Sequence, residues 1–164
     1  SGARVDVLDL SALTFDATPT GRPGPVDPVF EDARVRILAA RHLVLVYPTW
    51  LGAMPARLKG YLEQVIGKDW AFSFAEGSLL PTSHLTGRSA DVLVTMDTPP
   101  FLYRWLLGAP GHRLIKRAIL APAGVRPVRI FSFGPLGRST EARRKAWLAK
   151  AERRGREIGR KFAR

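Results

Sequence analysis

Apolar and polar positions along the chain alternate between two periods. Val5-Asp6-Val7-Leu8-Asp9-Leu10 alternates and predicts a strand over 5–10. Residues 14–25 hold Thr, Pro and Gly and predict a loop. Asp27 then Pro28 is a helix start, a capping acid followed by a proline where no N–H is needed. Val29, Ala33, Ile37 and Ala40 give that helix one apolar stripe. Leu43 to Tyr47 is a continuous apolar run that stops at Pro48, which predicts a buried strand over 43–47. Pro55 opens a second helix with Leu58, Leu62 and Val65 on one face and Gly67 as its stop.

Residues 72–86 are irregular. Asp91 to Met96 predicts a third strand, ended by Asp97-Thr98-Pro99-Pro100. Phe101 to Leu107 is short and aromatic. A helix over 112–120 and a loop over 122–127 follow, then a fourth strand over 128–133 that ends at Gly134-Pro135. The last helix starts near Ser139-Thr140-Glu141, a hydroxyl cap with an acid in the first turn. Its expected core stripe is Leu148, Ala151, Gly155, Ile158 and Phe162. Strand and helix alternate four times, which argues for an α/β fold with a parallel sheet covered on both faces.

Composition adds limits. The 164 residues suit one domain with a full core, expected to span 1–164 and to end in a basic helix over about 139–163. No apolar run is long enough for a membrane span, and no secretory signal opens the chain. With no cysteine there is no disulfide framework and no thiolate chemistry; a cytoplasmic location is expected. The net charge is +12, and residues 143–164 carry ten of the basic side chains. Only Trp147 and Phe162 stand among them, so a solvated helix face is expected, with no specific nucleic-acid binding.

Three strands end in loops with special residues: Pro48-Thr49-Trp50-Leu51-Gly52, Thr95-Met96-Asp97-Thr98-Pro99-Pro100 and Gly134-Pro135-Leu136-Gly137. The first two follow strands expected to be adjacent, so they would face each other across one cleft at the carboxyl edge of the sheet, where α/β proteins bind ligands. The cleft offers a flat indole, main-chain N–H groups and hydroxyls, but little acid–base machinery. His112 is the histidine expected nearest to it. No cluster has metal-ligand spacing, and there is no nucleophile elbow. Such walls suit a planar cofactor that carries its own chemistry.

Pro48-Thr49-Trp50-Leu51-Gly52-Ala53-Met54-Pro55-Ala56-Arg57-Leu58-Lys59-Gly60, with Ala71-Phe72-Ser73-Phe74 after it, resembles the flavodoxin-like NAD(P)H dehydrogenase (quinone) family. The resemblance covers about residues 5–150. It implies a doubly wound parallel sheet in the order 2-1-3-4-5 and a noncovalent FMN or FAD at its carboxyl edge. It implies hydride transfer from NAD(P)H through the flavin to a quinone-like acceptor, in a homodimer whose partner would pack on Phe101–Leu107. By the same resemblance, Pro48, Thr49, Trp50 and Leu51 line the isoalloxazine, and Thr95, Met96, Asp97 and Thr98 contact its pyrimidine edge. Tyr103 has the spacing of a family tyrosine that stabilises charge on the reduced ring, and His112 is a looser match to a family histidine. Two departures stand out. Asp97-Thr98-Pro99-Pro100 replaces a glycine-rich loop, which puts the acceptor and the potential in doubt. The family's first strand, phosphate turn and first helix have no counterpart, so the chain is expected to be part of a longer one, with the phosphate-binding residues before Ser1. A flavodoxin-like binding or regulatory protein without turnover is the alternative reading.

Overall fold

A computed structural model describes residues 2–18 and 26–163. The predicted loop over 14–25 is seen as coil up to residue 18; the rest of it lies outside the described residues, as do Ser1 and Arg164. Helix α1, Pro28–Ala39, starts as its sequence predicts. The Asp27 carboxylate accepts from the Val29 N–H, with Pro28 in the first turn. Strand β1, His42–Pro48, follows, then α2, Ala56–Val65. The irregular stretch contains a small hairpin, β2 Phe72–Ser73 and β3 Thr82–Ser83. Then come β4, Ser89–Thr95; α3, Pro100–Trp105; α4, Pro110–Arg113; a π-helical run over Leu114–Leu120; β5, Val128–Phe133; and α5, Glu141–Phe162. The predicted helix over 112–120 is therefore present, with wider turns in most of its length. Among the described residues no helix is long and apolar enough to cross a membrane.

The sheet is parallel, in the order β1-β4-β5, with β4 central. Residues paired in register share a face. One face carries Tyr47, Ala90, Val92, Val94 and Val128, all buried in the main core with Val65 of α2 and Ile115 and Leu120 of the π-helical run. Valines alternating on a pleated strand suit that buried layer, as a strand covered on both faces requires. Gly60 on α2 explains its place in the Leu58-Lys59-Gly60 motif. A Cβ there would stand 2.0 Å from the Ala17 carbonyl oxygen, so only glycine lets the early segment lie on the helix.

The strand expected over 5–10 does not form, and the segment runs as coil. Only half of its apolar residues reach the core: Leu8 and Leu10 turn inward, and Val5 and Val7 are exposed. A strand needs a ladder partner for its N–H and C=O groups, and this segment finds none among the described residues. It is held instead by side chains, with Arg36 on Asp6 at 2.9 Å and Arg57 on the Leu10 carbonyl at 3.1 Å. The described main sheet therefore has three strands, and the outer edge of β1 pairs with no described strand.

The second face is organised by α5. The Thr140 hydroxyl caps it by accepting from the Arg143 N–H. It turns Trp147, Ala151, Arg154, Ile158 and Phe162 to the sheet, so Ala151, Ile158 and Phe162 of the expected stripe hold, while Leu148 and Gly155 are exposed and Trp147 and Arg154 take their places. Trp147 packs on Phe133, and Phe162 stacks on His42. At the centre Arg154 makes a two-point contact with Asp91 of β4, at 2.5 Å and 3.2 Å. The Asp91 side chain is 1% exposed. A charged residue thus takes the place expected of Gly155, because the strand beneath it carries a buried acid. The same face leaves Val44 and Val46 of β1 54% and 71% exposed.

His42 and His112 are both held below the ordinary imidazole pKa, in each case first by burial. In the unfolded chain both revert to about 6.5. Below that value the unfolded state binds protons that the folded state refuses, so stability is full above about pH 6.5 and is lost as pH falls through the folded values. The thermal midpoint is expected to hold steady at neutral pH and to decline on acidification through this window. The double variant His42→Gln, His112→Gln should flatten that decline; an equal slope in the variant would assign it to other groups.

Candidate functional site

Because β1 and β4 are neighbours in register, their carboxyl ends deliver two loops side by side. The Thr49 N–H donates to the Thr95 carbonyl at 2.7 Å, so the first loop begins as a continuation of the ladder. Trp50 and Ala53 then exchange main-chain hydrogen bonds at 2.9 and 3.0 Å around a two-residue turn. Both central residues have positive φ, Leu51 at 47° and Gly52 at 80°. That is the signature of a type I′ turn, which glycine enters freely and leucine only at a cost of about 1–2 kcal/mol. The turn projects Trp50 and Leu51 outward; Leu51 is fully exposed and Trp50 largely so.

The turn is anchored from below. The Tyr103 hydroxyl donates to the Gly52 carbonyl at 2.7 Å and accepts from the Gly111 N–H at 2.8 Å. The Gly111 N–H also reaches the Gly52 carbonyl at 3.1 Å. A Cβ on Gly111 would stand 2.9 Å from both the Gly52 oxygen and the Tyr103 hydroxyl, so the three-way contact requires glycine. Tyr103 is 1% exposed. Burial raises its pKa, against the Gly111 and His112 N–H groups that lower it. Its hydroxyl is spent on the scaffold rather than presented to the cleft. His112 lies edge-on to the Tyr103 ring, centroids 4.9 Å apart, with Nε2 3.3 Å from the Ser132 hydroxyl. Below the same loops, burial and then the neighbouring Tyr103 push Tyr47 up to about 12, so its phenol stays protonated. Its buried hydroxyl has no protein partner among the described residues.

The second loop is tied to the third. Met96 is buried, so it meets this region through its main chain; its carbonyl accepts from the Leu136 N–H at 2.9 Å. Asp97 turns its carboxylate to the Gly137 N–H, at 2.8 Å. Gly134 sits where a Cβ would be 2.5 Å from the Met96 carbonyl oxygen. Between these loops opens a cleft of about 470 Å³, lined by Asp97, Pro99, Leu102, Pro135, Gly137 and Arg138. Thr98 is exposed at its side and Thr95 half-buried. Among the described residues, the main-chain N–H groups of Leu51, Gly52, Asp97 and Thr98 donate to no protein acceptor.

Of the ten site residues expected from sequence, Pro48 to Leu51 and Thr95 to Thr98 do lie on adjoining loops. Tyr103 and His112 lie together in the layer that supports the first of them. Residues 134–137 were noted as a loop but left out of the site. A Gly-Pro-x-Gly turn closing a parallel strand is the available signal.

A family model described as flavodoxin-like fold matches residues 1–155. A structure of Smu.1420 from Streptococcus mutans UA159 superposes with a TM-score of 0.68 at 28% identity, over 76% of this chain and 64% of that one. An NAD(P)H:quinone oxidoreductase from Methanothermobacter marburgensis gives 0.68 at 24%, over 82% and 67%. An FMN-dependent NADH-azoreductase from Bacillus anthracis str. Ames Ancestor, solved with FMN, gives 0.62 at 18%, over 82% and 63%. The chain thus spans about two thirds of the length of these structures. No curated protein matches it significantly.

Proposed function

The chain belongs to the Flavodoxin_2 family, of flavodoxin-like fold, and from that premise we propose that it is a flavin-dependent oxidoreductase, passing hydride from NAD(P)H through FMN or FAD to a quinone-like acceptor. The observation that carries the reading is the pairing of the Trp50–Ala53 turn with the Thr95–Thr98 loop at one sheet edge, with four main-chain N–H groups that find no acceptor among the described residues. An isoalloxazine is flat and rimmed by acceptor atoms, so an exposed indole and open N–H donors fit it. The names of the Methanothermobacter and Bacillus neighbours support the same class.

When bound, the flavin supplies the two-electron exchange. The chain supplies position. Pro48, Thr49, Trp50 and Leu51 form one wall, and Thr95 to Thr98 the other, Met96 through its backbone alone. Tyr103 is a positioning residue: it fixes the Gly52 carbonyl and so aims the N–H groups of the turn. His112, neutral because it is buried, packs on Tyr103 and would add no charge to a flavin site. Asp97 faces Gly137, which leaves the pyrimidine edge to the main-chain donors.

Absorbance of the purified chain after incubation with FMN or FAD, followed by NAD(P)H oxidation with a quinone, tests this. A bound flavin band and turnover are expected. Absence of flavin uptake sinks the reading, and uptake without turnover on any quinone would favour a binding or regulatory protein. Trp50→Ala is expected to raise the flavin Kd by about threefold to tenfold, the loss of one aromatic stacking contact. An unchanged Kd would leave Trp50 outside the ring site.

A further inference from the structure

The opposite edge of the sheet holds a second cavity, of about 110 Å³. It lies where β1, β4 and β5 begin: His42 pairs in register with Ser89, and Ala90 with Val128. The last turns of α5 close it. A strand of seven residues is about 20 Å long, so the length of β1 separates this cavity from the Trp50 turn.

The chemistry of the cavity follows from which of its polar groups are already paired. Arg154 takes both carboxylates: its Nε and Nη2 hold Asp91, and its Nη1 holds Glu157 at 3.0 Å. Three donors are left. Arg129 and Lys161 line the cavity and form no salt bridge among the described residues. His42 is the third, with its side chain 7% exposed. Its Nδ1 is 2.7 Å from the Ser89 hydroxyl, and its Nε2 finds no hydrogen-bond partner among the described residues. Asp91 stands 3.8 Å from that nitrogen, which favours the tautomer with the proton on Nε2. The Ser89 hydroxyl therefore donates to Nδ1, and a buried N–H is left without an acceptor. Phe162, stacked on the ring, helps to hold His42 in this orientation.

Two unpaired cations beside a buried N–H with no acceptor make a seat for an anion. A water molecule satisfies the N–H but brings no counter-charge to the cations. Two positive charges match a dianion better than a carboxylate, and a guanidinium matches the spacing of phosphoryl oxygens. We propose that this cavity binds a phosphate group, as the free ion or as a small phosphomonoester, through His42 Nε2, Arg129 and Lys161. The site is separate from the one proposed for the flavin, and its test needs no turnover.

The full chain is to be titrated with inorganic phosphate at constant ionic strength, by calorimetry and by the nitrogen resonances of its histidine rings. Saturable binding is expected, with the His42 Nε2 resonance shifting along the same curve while those of His84 and His112 stay in place. Arg129→Gln and Lys161→Gln should each raise the Kd by about fivefold or more, the loss of one partly exposed charge contact. Arg153→Gln removes an equal charge from an exposed position of α5 outside the cavity and should leave the Kd unchanged. Circular dichroism establishes that each variant is folded. Glycerol phosphate in a parallel titration identifies the source: tighter binding than the free ion supports a phosphomonoester, and weaker binding supports inorganic phosphate. Four results overturn the proposal: no saturable binding of either; binding that leaves the His42 resonance in place; an equal loss with Arg153→Gln, which would reduce the effect to bulk charge; or acetate binding as tightly as phosphate, which would remove the preference for a dianion.

Discussion

Replacing Arg154 with alanine is expected to cost about 3–5 kcal/mol of stability, the range for breaking a buried ion pair from one side. The reason is the partner left behind. Asp91 is in the central strand with its side chain 1% exposed, and the guanidinium provides two of its hydrogen bonds. His42 Nε2, 3.8 Å from the same carboxylate, is beyond hydrogen-bonding distance and belongs to a ring that burial keeps neutral. Chemical denaturation, read by circular dichroism, measures the loss. The double variant Asp91→Leu, Arg154→Leu should recover most of it, since an apolar pair needs no counter-ion. A small effect of Arg154→Ala alone would mean that water reaches Asp91 and that α5 is held by its aromatic contacts.

Gly134→Ala is expected to damage the site as well as the fold. Its methyl would meet the Met96 carbonyl oxygen at 2.5 Å, Met96 Cγ at 2.9 Å and the Thr98 carbonyl oxygen at 3.2 Å. Two of these are backbone atoms that no rotamer change can move, so the loops after β4 and β5 must part. Overpacking of this kind costs about 1–3 kcal/mol. Under the flavin reading the Met96–Thr98 wall shifts, and the flavin Kd should rise by about tenfold, the factor that about 1.4 kcal/mol produces. Titration of flavin fluorescence reads this directly. A lowered thermal midpoint with an unchanged Kd would place the ring away from this loop.

The parts of the molecule that were legible in its sequence are those fixed by near neighbours. Asp27-Pro28 and Thr140 announce their helices because a cap acts within one turn. The runs at 43–47, 91–96 and 128–133 announce strands because each is short and rich in apolar, β-branched or aromatic residues, although the first turns Val44 and Val46 outward. The parts that were not legible depend on distant partners. The alternation at 5–10 is a property of the segment, whereas a ladder needs a neighbour. Arg154 reads as a surface residue until Asp91, 63 positions earlier, is seen beneath it. Tyr103 has the spacing of a residue that faces a ligand, yet its hydroxyl closes on a carbonyl 51 positions away. Its support of the Trp50 turn became visible only with the chain folded.

The stitching between the loops after β4 and β5 has a thermodynamic consequence for whatever enters the cleft beside them. Their walls are joined by the Leu136 N–H on the Met96 carbonyl and the Gly137 N–H on Asp97, around a glycine with no space for a methyl. Prolines at 99 and 135 remove further backbone freedom from the lining. A ligand therefore meets surfaces whose ordering was completed during folding, and little of its contact energy is spent on freezing them. The same rigidity makes the cleft a gauge of thickness: a molecule that matches the gap binds at low entropic cost, and a bulkier one must break hydrogen bonds to enter.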